Sequence, residues 1–298
     1  MATNRNLTPG QYQLGELVMG PGTPFRIEAI DIGNYDVNAQ DYQSKRSNEL
    51  RFGSDTLKPT PLQLTINVMV NRALPHIAAL TNDIRTFNFD NDPNLGDLQR
   101  EWRAEETMSV WGALKPLLFC GTDGITRQFY GRPGKFAYKK HRQEGSLYYQ
   151  CQGEFRRSDT FAYSDTEYYV DFAPNDAEII TRVNGNATSW MRFLLVGPFS
   201  NPIIHLGSKD IQINTTNVYP GGIVPTNEII EISSYPWERR VVDSHGLSLA
   251  AFIVTDKPYL DTIKLPYQTP IEISWEGGNL SANSRMRMLW HDAYQVMD

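Results

Sequence analysis

Apolar and polar residues alternate along much of the chain. Leu62, Leu64, Ile66, Val68 and Val70 interleave with Gln63, Thr65, Asn67 and Met69, a period of two that predicts a strand buried on one face. The pattern returns at Ile211 and Ile213, Ile230 and Ile232, Leu247 to Ile253 at every second residue, Ile263 and Leu265, Ile271 to Trp275, and Met286 to Trp290. Turn formers stand among these runs: Gly131-Arg132-Pro133-Gly134, Asn184-Gly185-Asn186, Pro220-Gly221-Gly222 and Gly277-Gly278-Asn279. Short strands separated in this way predict a sandwich or a barrel. A further strand is expected over 25–32. The first 25 residues read as loop, because Pro9-Gly10, Gly20-Pro21-Gly22 and Pro24 interrupt any regular element.

One segment follows a different period. Leu95, Leu98, Trp102, Met108, Trp111, Leu114 and Leu118 recur near helical spacing and predict a helix over 95–115. Asn94 or Asp97 can cap its start, and Gly112 and Pro116 weaken its last turns, so the ordered part is expected to stop near Leu114. Phe172-Ala173-Pro174-Asn175 reads as a boundary. Residues 1–172 would form a domain of mixed strands with the helix, and residues 173–298 an all-β domain.

Composition narrows the function classes. With 40% hydrophobic and 21% charged residues among 298, the chain can bury a core, and its 11% aromatics suit strands. A net charge of -6 argues against a strongly basic, sequence-reading nucleic-acid binder. No apolar run reaches the roughly 18 residues of a membrane span, and no basic start followed by an apolar stretch predicts a secretory leader. Cys120 and Cys151 read as buried thiols.

The sequence offers little catalytic chemistry. Asp243-Ser244-His245 contains three triad residue types, but strand neighbours point to opposite faces, so a polar turn before Gly246 is the better reading. The five histidines lie apart and the cysteines form no C-x-x-C, so no metal or cofactor site is expected. Residues 90–101 place Asp90, Asp92, Asn94 and Glu101 at calcium-loop spacing, yet Leu95 stands where the sharp turn needs glycine. An acidic loop capping the helix explains them better. Glu105-Glu106 and Glu272/Glu276 read as solvated carboxylates. Trp237 and Trp275, conceivable as a sugar platform, read as core aromatics. No catalytic residues are assigned, and the chain is not read as an enzyme.

Charge is distributed unevenly. Residues 127–157 carry eight basic side chains against Glu144 and Glu154, whereas 83–106 carry seven acidic ones against three basic. Opposite patches on one domain can pair head to tail between copies. The candidate inter-subunit residues are Asp97, Glu101, Glu105 and Glu106 on the acidic side, and Arg132, Lys135, Lys139, Lys140 and Arg142 on the basic side.

Several loose motifs occur in a telling order. GPFSNPIIHLG, INTTNVYPGG, EIIEISSYPWERRVVDS and the terminal WHDAYQVM resemble the C-terminal half of siphophage distal tail proteins, with His291 where arginine is usual. MGPGTPFRIEAIDIG, LRFGSDTLKPTPLQLTINVMV, QFYGRPGKF and GEFRRSDTFAYS resemble the opening of related minor tail proteins from phages of actinobacterial hosts, with Thr160 where proline is common. The resemblance runs from about residue 15 to the end. It implies a mainly β fold: an N-terminal β-barrel-like ring domain with one helix, and a C-terminal galectin-like β-sandwich. It also implies a non-enzymatic virion protein at the distal end of the tail, made in the host cytoplasm and assembled as a homo-oligomer, a hexameric ring. The implied partners are the tail tube protein, the C-terminus of the tape-measure protein and the tail-tip hub protein. A host-surface carbohydrate bound by the second half is the alternative. Pro198, Asn201 and Pro202 would then fix the entry of a sandwich strand, since proline cannot donate to a ladder.

Overall fold

The strand expected at 62–70 is present as Leu62–Met69, with Leu62, Leu64, Ile66 and Val68 buried and the intervening residues more open. The computed structural model describes residues 6–32, 36–39, 42–43, 50–51, 56–70, 92–143, 146–254 and 260–295. Its architecture is mainly β, in antiparallel sheets, and it divides into two units, Met1–Ala162 (with the last two residues) and Tyr163–Val296. Among the described residues no helix is long and apolar enough to cross a membrane.

In the first unit, β1 (Tyr12–Leu14) and β2 (Leu17–Met19) form a hairpin where the sequence predicts loop. Gly15, at φ 59°, makes the tight turn, and Leu14, Leu17 and Met19 bury their side chains. Then come β3 (Phe25–Asp31), the short strands β4 (Asp36–Asn38), β5 (Tyr42–Gln43), β6 (Leu50–Arg51) and β7 (Thr56–Lys58), and β8 (Leu62–Met69). After the helical segment follow β9 (Leu117–Cys120), β10 (Thr126–Phe129), β11 (Gly131–Gln143) and β12 (Ser146–Arg157). One sheet has the order β11-β12-β8-β3, and a second run has β10-β9-β1-β2. Cys120 and Cys151 are both buried free thiols, as expected, and burial pushes Cys151 up to about 12.

The helix is shorter than the sequence predicts. α1 (Pro93–Arg103) starts at Asp92, whose Oδ1 accepts from the backbone N–H of Asn94 and Leu95, with Pro93 in the first turn. Asp92 thus acts as a helix cap; Asp90, its partner in the calcium-loop spacing, lies outside the described residues. Leu95, Leu98 and Trp102 form the buried stripe, and Trp102 lies over Gly153 of β12, where a Cβ would meet its ring at 2.2 Å. The chain leaves the helix at Ala104, in the left-handed region at φ 44°, and resumes as the single turn α2 (Glu105–Met108). Beyond that break Met108, Val110 and Trp111 lie exposed, while Thr107 stays buried.

In the second unit, β13 (Ala162–Phe172), β14 (Ala177–Ile180), β15 (Ser189–Val196), β16 (Ser200–Leu206), β17 (Lys209–Gln212), β18 (Ile229–Ser233), β19 (Arg240–Asp243), β20 (Lys264–Leu265), β21 (Ile271–Gly278) and β22 (Arg285–Tyr294) make two layers. One layer has the order β19-β18-β15-β22-β13, and the other β14-β21-β16-β17. Their inner faces close one core, with Met191, Phe193 and Met288 from the first layer and Ile204, Ile273 and Trp275 from the second. This is the packing of a β-sandwich. Pro202 stands within β16 at the register shift between Ser200 and Ile203, where its missing N–H breaks no regular ladder. The expected strand over 247–253 does not form. Leu249 is buried but Leu247 is exposed, and Ala250–Phe252 is a short 3₁₀ turn.

Candidate functional site

The helix break at Ala104 leaves an apolar ridge in the first unit. Met108 ends α2 and Val110 and Trp111 follow it; Trp111 is fully exposed and the other two more than half so. Helical periodicity places Met108 and Trp111 on the buried face, so both placements are corrected here. Exposed apolar side chains of this kind, tryptophan above all, are the ones that protein partners tend to bury.

The acidic candidates divide. Asp97 is half exposed and pairs with Arg100 at 3.1 Å on its own helix, and Glu105 and Glu106 are exposed beside the ridge. Glu101 is turned inward, only 8% exposed, and bonds Lys115 Nζ at 2.6 Å, which removes it from the outer surface. Lys115 also reaches Glu106 at 2.8 Å. Burial pulls the Lys115 ammonium down, but its hydrogen bonds to Glu101 and Glu106 outweigh this and leave its pKa raised. The hydrogen bond from Lys115 in turn holds the Glu106 carboxyl below its usual range.

The basic candidates lie on β11. Lys135, Lys139 and Lys140 are exposed, Arg132 is half-buried, and Arg142 lies on the strand with its side chain outside those described. Strand alternation sends Lys139 to one face and Lys140 to the other, the face that carries Phe136 and Tyr138, while Lys135 stands at the register shift between Pro133 and Phe136. Phe136 packs on Trp102 with ring centroids 5.8 Å apart. The remaining basic groups of this segment are engaged within the unit. Arg127 pairs with Asp123, Arg156 with Glu154 at 2.9 Å, and Arg157 donates to the Thr60 carbonyl at 2.8 Å.

The second unit holds its polar chemistry near the chain's closing motif. His291 is 7% exposed; its Nδ1 donates to the Ser164 carbonyl at 2.8 Å and lies 3.1 Å from that of Thr166. Glu167 accepts from Arg192 at 2.7 Å and from the Tyr235 hydroxyl at 2.9 Å. Burial pushes the His291 pKa down; the Glu167 charge opposes this and Arg192 adds to it. The unfolded chain therefore takes up this proton near the ordinary value of 6.5, before the folded chain does. Stability from this group is complete above about 6.5 and is lost as pH falls toward the folded value. Urea midpoints at pH 8 and pH 5 should differ for this reason, and His291→Gln should narrow the difference.

Trp275 is sealed in the core, and half-buried Trp237 packs on Tyr235 and Tyr163 at 4.8 and 4.6 Å, so neither presents an open sugar platform. Asp243, Ser244 and His245 form the polar turn expected of them. The sequence gives no hint of Glu228, which joins them from before β18: Ser244 Oγ donates to Glu228 Oε1 at 2.5 Å. The link is fifteen or more residues long and depends on the β18–β19 pairing.

No protein-family model matches the sequence, and no curated protein is similar to it. Solved structures are. The crystal structure of the SPP1 Dit (gp 19.1) protein, described as a paradigm of the hub adsorption apparatus in phages infecting Gram-positive bacteria, aligns with a TM-score of 0.54 at 14% identity. The alignment covers 90% of this chain and 93% of that one. The phage P2 baseplate in its activated conformation with Ca aligns at 0.45 and 9% identity over 95% and 97% of the two chains. Its counterpart with Sr aligns at 0.43 and 9% over 94% and 97%. Along nine-tenths of its length, then, the chain has the fold of the SPP1 Dit protein.

Proposed function

We propose that this chain is a structural virion protein of a long-tailed phage, a distal tail protein or a related minor tail protein. In this reading it forms a ring, a hexamer, that joins the tail tube to the tail tip. It meets the tube protein, the tape-measure C-terminus and the tip hub through the first unit. The observation that carries the reading is the near-full-length likeness in fold to SPP1 Dit. The surface of the first unit supports it: an apolar ridge at Met108, Val110 and Trp111 beside Glu105 and Glu106, and exposed lysines on β11. In a head-to-tail ring the acidic residues beside the ridge complement the lysines of the next copy, and the ridge supplies apolar area to bury. Carbohydrate binding by the second unit is the second reading of the sequence, but Trp275 and Trp237 do not supply its platform.

The surface can be tested directly. Trp111→Ser is expected to shift the light-scattering mass of the concentrated protein from multimer toward monomer, with the far-UV circular dichroism unchanged. Lys139→Glu with Lys140→Glu should weaken the same assembly, most clearly at low salt. A multimer indifferent to all three substitutions would remove this surface from the account.

A further inference from the structure

We propose that Glu228, Asp243 and His245 form a site for a divalent transition-metal ion of the zinc class, on the second unit beside the β18–β19 pair. One ligand atom from each lies within 4.8 Å of the others, and Glu228 Oε1 is 3.4 Å from His245 Nδ1. The set is one imidazole nitrogen and two carboxylate oxygens, which suits zinc or manganese better than calcium or magnesium.

The carboxylates are held as ligands are. Asp243 is only 7% exposed, and its Oδ1 accepts from the backbone N–H of His245 at 3.0 Å and of Leu247 at 2.8 Å. Glu228 Oε1 accepts from Ser244 N at 3.2 Å and Ser244 Oγ at 2.5 Å, which holds the carboxylate beside His245. Such donors fix the direction of a metal-binding carboxylate.

A further observation points to a cation. Neither Glu228 nor Asp243 forms an ion pair with a lysine or arginine among the described residues, although both are largely buried and lie close together. Like charges so placed repel unless a cation lies between them.

Tetrahedral zinc ligands stand about 3.4 Å apart, given bonds of roughly 2.0–2.2 Å. The set must therefore close by as much as about 1.4 Å, and His245, with 78% of its side chain exposed, has room to move. Titration calorimetry of the full chain with zinc chloride after chelator treatment, with calcium and magnesium chloride as comparisons, tests the site. One zinc equivalent is expected. His245→Ala, an exposed substitution that leaves the fold intact, and Glu228→Gln should each weaken binding at least tenfold. Absence of zinc binding, or zinc binding unchanged in both variants, would overturn the proposal. So would calcium binding as tight as zinc and indifferent to His245→Ala, which would mean an acidic surface only. The site does not depend on the ring, so its failure would leave the proposed function standing.

Discussion

Trp275→Ala is expected to destabilise the second unit by about 3–5 kcal/mol, the range for removing a fully buried large aromatic. Trp275 has no exposed surface and stands on β21 between the two layers. It meets Phe199 edge-on at a centroid distance of 6.0 Å, and its Nε1 donates to the Ala173 carbonyl at 3.1 Å. The substitution removes both contacts and opens a void that neighbouring strands, tied by their ladders, can fill only in part. Trp275→Phe keeps most of the volume and forfeits the hydrogen bond, so it should cost less, about 1–2 kcal/mol. Urea unfolding of the three proteins, compared by midpoint and slope, checks the order. Equal stability of the alanine variant and the parent would mean that this core is not what joins the layers.

Asp292→Ala should cost as much for a different reason. Asp292 and Arg182 are each about 98% buried by side chain, 3.7 Å apart. Arg182 also donates through Nη2 to the Ala187 carbonyl, which pins the chain after the Asn184-Gly185-Asn186 turn. Removing the carboxylate leaves a guanidinium in the interior with no counter-charge, and breaking such a pair from one side costs about 3–5 kcal/mol. Burial already lowers the Arg182 pKa and raises that of Asp292, the sign of two charges kept from water and held by each other. The double substitution Arg182→Met with Asp292→Leu removes both charges and should recover much of the loss. If the double variant were as unstable as the single one, the cost would lie in packing and not in the unpaired charge.

The sequence and the structure agree where one face of a strand is buried. β8, β21 and β22 were legible because every second residue has to be apolar there, and Cys120 and Cys151 were legible as thiols because small hydrophobes fill such interiors. The errors have equally physical causes. Ala104 adopts a conformation that alanine rarely takes, so nothing in its identity announces that the helix ends there. The periodicity of Met108 and Trp111 therefore continued on paper past the point where the chain turned. β1 and β2 hid among prolines and glycines that serve as turns around very short strands. Leu247 to Ile253 alternates as a strand does but bends into a 3₁₀ turn, because only Leu249 finds a place in the core.

The candidate site was legible in part. Charge counts found the acidic and basic segments, but counting along a chain cannot tell that Glu101 turns inward to Lys115 or that strand alternation separates Lys139 from Lys140. Glu228 was invisible for a third reason, since its proximity to Asp243 and His245 is made by strand pairing.

The central claim is assembly into a ring. Negative-stain microscopy of the purified chain at high concentration, with particle classes sorted by symmetry, tests it most directly. The account predicts six-fold rings with a central channel, lost in Trp111→Ser. Single featureless particles at every concentration, for the parent and the variant alike, would contradict it.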